Sequence, residues 1–196
     1  MNDLSDPTTA ALTVARALEG ASLRAAVYGG LALAAYGEPR ETKDADFAVA
    51  GVSAADVVQA LTQAGMDVSL GFDRVRFGGN DISRIALLGA SDTSGLNVLD
   101  LVEPRSPRYA QSVLDRALAG SLRSQRVTLV SPEDFVLLKV LSTRERDLDD
   151  AASVFRTLGD GMDRSLLKRE AGALADEIPD HDVAGRMARV LRDATG

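Results

Sequence analysis

The segment Leu96-Asn97-Val98-Leu99-Asp100-Leu101-Val102 is apolar on both faces, with Asp100 as the exception. Such a strand belongs inside a sheet that helices cover on both sides. The rest of the chain supplies that cover. Residues 7–19 carry helical apolar spacing, with Asp6 as a cap, Pro7 in the first turn and Gly20 as the stop. Arg24 to Tyr28 reads as a strand that runs into Gly29-Gly30, and Leu31 to Tyr36 is a short helix former. Asp46 to Ala50 reads as a strand, and Ser53 opens an amphipathic helix to about Ala64. Strand candidates follow at Met66 to Leu70, Arg74 to Phe77 and Ile82 to Leu88. Pro107 begins a helix that the pattern carries to Gly120, and Val127 to Val130 is a last short strand. Ser131-Pro132-Glu133-Asp134 is a cap with proline at the first helical position, and the pattern beyond is helical to Gly196, broken near Gly159-Gly161 and Pro179. The expected fold class is α/β (α+β): a mixed twisted sheet flanked by helices over residues 1–130, then a helical region over residues 131–196.

Composition narrows the chemistry. The 196 residues contain no cysteine and one histidine, which removes disulfide scaffolds, Cys-ligated zinc, thiol catalysis and most His-dependent metal sites. Any metal must be held by carboxylate oxygens, which suits a hard ion such as Mg²⁺ or Mn²⁺. The net charge is -7, divided as -6 over residues 1–100, +3 over 101–130 and -4 over 131–196, so the chain is no simple coat for a polyanion. No stretch is apolar for long enough to cross a membrane, and the acidic start Met1-Asn2-Asp3-Leu4-Ser5-Asp6 lacks the order of a signal peptide, so the expected location is cytoplasmic with no membrane partner.

Gly29-Gly30 is followed at short range by Thr42-Lys43-Asp44-Ala45-Asp46. Asp44 and Asp46 are two residues apart, so on a strand both carboxylates face one side, about 6.6 Å apart along the chain. Paired metal ions about 3.5–4 Å apart need bridging oxygens of this kind. A glycine pair before a helix start lets backbone N–H groups approach a phosphate. Either feature alone is common; together, in this order, they are far more specific. Asp100 is expensive to bury without a positive partner. It either pairs with a nearby arginine or joins Asp44 and Asp46 around metal, and the second reading is preferred, because a neighbouring strand would gather three carboxylates that only cations could stabilise. Lys139 is a lone cation in the apolar helical run Phe135 to Leu141; it either snorkels to solvent or points into a cleft towards a phosphate.

The order Gly-Gly, Asp-x-Asp, a single strand Asp and Ser-Pro-Glu-Asp before a helical Lys resembles the nucleotidyltransferase superfamily with the DNA-polymerase-beta-like fold. Within it, the chain is most similar to the AbiEii/AbiGii toxin-type nucleotidyltransferases. The likeness spans Ala26 to Val49, Val98 to Val102 and Val130 to Val154. It implies that Gly29 and Gly30 form the phosphate-binding turn, that Asp44 and Asp46 ligate metal, and that Asp100 completes the site and activates the acceptor hydroxyl. Lys139 would contact the NTP phosphates. Arg146, Asp147 and Asp150, in Arg146-Asp147-Leu148-Asp149-Asp150, would position the nucleotide or Lys139; a solvated helix face is the alternative for that segment. The chain departs from much of the superfamily in having Gly29-Gly30 where a Gly-Ser pair is usual, which leaves only backbone donors at the turn.

The activity so implied is metal-dependent transfer of a nucleoside monophosphate from an NTP to a hydroxyl of an RNA (tRNA) or protein acceptor, with pyrophosphate released. Lys139, together with Arg40 or Lys43 in the loop before Asp44, would offset the developing charge; for Arg40 and Lys43 ordinary loop solvation is the alternative. The resemblance also implies a toxin with a cognate antitoxin. Two other classes compete: an antitoxin-type binding module without turnover, and transfer to a small molecule such as an aminoglycoside, which no feature of the sequence selects. Arg105, Arg108, Arg116, Arg123 and Arg126 make a basic stretch that seats RNA or is a solvated face. His181 is expected at the surface.

Overall fold

The computed structural model describes residues 4–88 and 97–195. Its helices are α1 (Pro7–Gly20), α2 (Gly29–Tyr36), α3 (Ala54–Gln63), α4 (Pro107–Asp115), α5 (Pro132–Leu141), α6 (Glu145–Leu158), α7 (Arg164–Glu177) and α8 (Val183–Asp193). Its strands are β1 (Ala25–Tyr28), β2 (Asp44–Val49), β3 (Asp67–Phe77), β4 (Asn80–Leu88), β5 (Asn97–Pro104), β6 (Leu118–Leu122) and β7 (Gln125–Leu129). They form one mixed sheet in the order β3-β4-β5-β2-β1-β7-β6. The pairs β2–β5 and β1–β7 are parallel and the remaining pairs antiparallel. The mixed sheet flanked by helices is the architecture expected from the sequence.

Alternation along the strands divides the core into two layers. Val27, Ala45, Phe47, Val49, Leu99 and Leu101 pack with α1 and α3 on one face. Ala26, Tyr28, Ala48 and Val102 pack with α4 to α8 on the other. Asp44, Asp46 and Asp100 occupy the alternate positions of β2 and β5, so they share the face that the C-terminal helices cover. Helix starts follow side-chain caps: Asp6 accepts from the Thr9 N–H at 2.7 Å, Ser53 from Asp56 at 3.1 Å and Ser131 from Asp134 at 3.1 Å.

Two segments differ from the sequence expectation. Met66 to Leu70 and Arg74 to Phe77 are one strand, β3, with register shifts between Leu70 and Val75. Arg74 has a φ of 47°, and its N–H donates to the Ser83 hydroxyl at 3.0 Å, so the polar interruption is a bulge and not a turn. The helix from Pro107 stops at Asp115, and Leu118 to Leu122 pairs with β7. Arg123 and Ser124, with φ of 46° and 63°, close that hairpin in a left-handed turn that carries no glycine or asparagine signal.

A buried ionic network fastens α5 and α7 to α4. Arg116 grips Asp134 with two donors at 2.9 and 2.6 Å, and the Tyr109 and Ser131 hydroxyls donate to the same carboxylate at 3.0 and 2.7 Å. Arg108 reaches Glu170 at 2.9 Å and Glu177 at 2.7 Å. Burial, then the neighbouring Asp134 charge, pushes the Tyr109 phenol well above its usual range. Truncating this fully buried carboxylate strips the Arg116 guanidinium of its bidentate partner and leaves it only the longer contact to Glu170 at 3.4 Å. Asp134→Ala is expected to cost about 3–5 kcal/mol in urea denaturation.

Among the described residues no helix is long and apolar enough to cross a membrane.

Candidate active site

The parallel pairing of β2 with β5 sets Asp46 directly beside Asp100 and Asp44 beside Val98. Asp100 is 4% exposed. Burial, then the Asp100 and Asp44 carboxylates, push the Asp46 carboxyl up to about 6, and Lys139 pulls against them. Three acids crowded on one sheet face are a donor set of hard oxygens with too little positive charge around it.

Gly29 belongs to this cluster through its backbone. It follows β1 and opens α2 with a φ of 61°, and a Cβ there would lie 1.8 Å from Asp46 Oδ2. Only glycine meets both conditions. At Gly30 a Cβ would meet the Thr42 Cβ at 2.6 Å and Oγ1 at 2.8 Å, so the Thr42 side chain fills the space over the second glycine. The two glycines open α2, whose first-turn N–H groups carry the positive end of the helix.

Lys139 neither snorkels nor stands free. It is 4% exposed, and Nζ donates to Asp147 at 2.6 Å and to Asp150 at 2.9 Å. The ammonium also lies 5.4 Å from the Tyr28 ring centroid and 5.5 Å from that of Phe135. Arg40 clasps Asp150 from the loop before β2 with donors at 3.1 and 3.0 Å. Burial alone would raise Asp150, but Arg40 and Lys139 outweigh it and hold the carboxyl below its usual range. The Ser142 hydroxyl donates to Asp147.

A cleft of about 470 Å³ opens over this assembly. Gly29, Asp44, Asp46 and Asp100 line it, as do Lys43, Lys139, Arg146 and Asp147. Lys43 and Arg146 are exposed cations at its rim. Gly30 and Asp150 sit behind the lining, the one in the first turn of α2 and the other against Lys139 and Arg40. Of the segment from Arg146 to Asp150, Asp147 and Asp150 are buried and hold Lys139, whereas Arg146 and Asp149 are exposed.

The sequence left Asp100 two partners, and the structure gives it an arginine. Arg84 of β4 stands opposite Asp100 in the ladder and donates to both its oxygens at 2.8 and 2.7 Å. Among the described residues no set of three or more His, Asp or Glu side chains is arranged around one ion position. Asp44 and Asp46 on one strand face, with Asp100 alongside, still supply the oxygen donors a divalent ion takes. Sequence reasoning did not name Arg84; its signal was a lone charge on the Ile82-Ser83-Arg84-Ile85 strand.

Four of the five arginines of the basic stretch pair with acids of the same chain, and Arg126 is exposed. Arg105 pairs with Asp180, Arg108 with Glu170 and Glu177, Arg116 with Asp134, and Arg123 with Asp6. His181 stands directly before Asp182, the cap of α8, and is half-buried, with Nε2 2.9 Å from the Val140 carbonyl oxygen.

Residues 10–91 match the profile of the aminoglycoside-2''-adenylyltransferase family, a span that holds Gly29, Gly30, Asp44, Asp46 and Arg84. The crystal structure of an antigenic nucleotidyltransferase-like protein from Paracoccidioides brasiliensis superposes with a TM-score of 0.51, covers 88% of each chain and is 24% identical. The fold is nucleotidyltransferase-like. The structural likeness bears on the fold, and the family match over residues 10–91 supports a nucleotidyltransferase enzyme, a class that uses NTP donors and divalent metals. No curated protein matches the chain.

Two outcomes follow from the crowding around Asp46. Gly29→Ala is expected to lower stability by about 1–3 kcal/mol, from a forced left-handed conformation and a collision with Asp46. Gly172→Ala, in a helix with nothing within 4 Å of the added carbon, is the control and is expected to be neutral or stabilising in the same urea series.

Asp46 has its own pH signature. Its folded-state pKa lies above the ordinary carboxylate value, so the native state holds the proton more tightly than the unfolded chain. The associated stability is complete at acid pH and is lost as pH rises towards and through about 6. In EDTA, Asp46→Asn is expected to exceed wild type by on the order of 2–3 kcal/mol at pH 7.5, with the gap closing near pH 4, in urea denaturation.

Proposed function

We propose that this chain is a metal-dependent nucleotidyltransferase that moves a nucleoside monophosphate from an NTP to an acceptor hydroxyl. The observation that carries the reading is the position of Gly29 against Asp46, beside Asp100 and in one cleft with Lys139. In this reading Asp44, Asp46 and Asp100 hold Mg²⁺ or Mn²⁺. A divalent ion held there would supply positive charge against the α-phosphate and lower the pKa of the acceptor hydroxyl.

The chain's own residues do the rest. Backbone N–H groups at Gly29 and Gly30 receive phosphate oxygens at the positive end of α2. Lys139 has three N–H donors, of which Asp147 and Asp150 take two, so one is left for a phosphate oxygen. Asp147 and Asp150 therefore position Lys139, and Arg40 positions Asp150. Lys43 and Arg146 add positive charge at the rim. The acceptor oxygen bonds to the α-phosphorus as the bond to the pyrophosphate oxygen breaks, and the hydroxyl proton passes to Asp100.

For the acceptor, the motif order supports an RNA or protein hydroxyl, with the chain as the AbiEii-like toxin of a pair with a cognate antitoxin. A second reading, a small polyhydroxylated acceptor of the aminoglycoside kind, draws on the family match over residues 10–91 and on the internal pairing of the basic stretch. An antitoxin-type module without turnover is disfavoured by three carboxylates kept together at electrostatic cost.

The test incubates the protein with each of four labelled NTPs and Mg²⁺, separately with total RNA, a protein lysate and an aminoglycoside. Label is expected in one acceptor class and is expected to fall at least about a hundredfold in Asp46→Asn. Equal labelling by that variant, or no labelling of any acceptor, overturns the reading. Growth arrest on expression, lost in Asp44→Asn, supports the toxin, whereas harmless expression of an active enzyme removes that role.

A further inference from the structure

We propose that Arg84 is the positioning residue for Asp100 and withholds it from divalent cations in the resting chain. The inference rests on the metal-dependent reading of the cleft. It departs from a simple three-aspartate site in assigning one of the three carboxylates to a guanidinium.

Geometry carries it. Arg84 and Asp100 are directly opposed on antiparallel strands, so their side chains rise from the same face of the sheet. Both oxygens of Asp100 accept from the planar fork, at 2.8 Å from Nε and 2.7 Å from Nη2. A bidentate pair of this kind occupies one lone pair on each oxygen and so competes with a metal that would chelate Asp100 through both. The guanidinium also lies 5.5 Å from the Phe72 ring centroid, which limits where it can go. The charges of Asp44 and Asp46 act on Arg84 as well as that of Asp100, so the cation faces all three acids. It is the same sign of charge as a metal ion, supplied by the chain.

The consequence is competition. A divalent ion that recruits Asp100 meets the positive charge of Arg84 beside it, and one that chelates through both oxygens must also loosen the fork. Without Arg84 the three carboxylates are open to cations and repel one another more strongly. Divalent ions should then bind more tightly.

The experiment is a Mn²⁺ titration of the full chain, free Mn²⁺ being followed by electron paramagnetic resonance, with no nucleotide present. Arg84→Met is expected to tighten Mn²⁺ binding about tenfold to a hundredfold, the range for releasing a charged hydrogen-bonded partner. Arg84→Lys keeps a cation but loses the fork and is expected between wild type and Arg84→Met. Arg84→Met with Asp100→Asn is expected to lose the gain. The rise in melting temperature on adding Mn²⁺, measured in parallel, reports the same order if Arg84→Met is poorly folded without metal. Binding by Arg84→Met that is equal to or weaker than wild type, or a gain that survives Asp100→Asn, overturns the proposal. Neither readout needs turnover. A chain that transfers no nucleotide yet tightens on loss of Arg84 refutes the enzymatic reading and leaves this one standing.

Discussion

Parallel pairing of β2 with β5 places two carboxylates, Asp46 and Asp100, side by side on the inner face of the sheet. Neither can turn into solvent freely, and a third, Asp44, stands one pleat away. The surroundings of the cleft respond to this repulsion. Arg84 takes both oxygens of Asp100. Lys139 approaches Asp46 from α5 and is itself stabilised by Asp147 and Asp150. Arg40 then closes the chain of alternating charges from the loop before β2. Lys139 is anchored by Asp147 and Asp150 behind it, so its positive charge stays at the wall of the cleft instead of collapsing onto Asp46.

That arrangement explains why α5 and α6 are part of the site. Lys139 is buried between aromatic rings and acids, and a cation so enclosed is costly without its partners Asp147 and Asp150. The N-terminal half of the chain supplies the acids and the glycine turn; the C-terminal helices supply the ammonium and the groups that orient it. The network of Asp134, Arg116 and Glu170 holds those helices in register with α4.

The sequence made much of this legible, and the exceptions have physical causes. Asp44 and Asp46 on one face, the cap at Ser131 and the buried character of β5 follow from period and local chemistry, which need no tertiary information. Strand β6 was hidden because Ala117-Leu118-Ala119 favours helix locally, and only pairing with β7 overrides it. Its turn, Arg123-Ser124, lacks the residues that announce a left-handed conformation. Arg84 was invisible as the partner of Asp100 because strand order is not written in either strand: β4 could lie beside β5 or far from it. The basic stretch misled in the opposite direction, since a run of like charge in sequence says nothing about acids brought to it from Asp6, Asp134, Glu170 and Asp180.

The filled space over Gly30 bears on how such a site can change over generations. A serine there would find the Thr42 side chain already in its volume. A Gly-Ser turn at this site therefore needs the Thr42 side chain to shift or to be replaced, which couples position 42 to position 30.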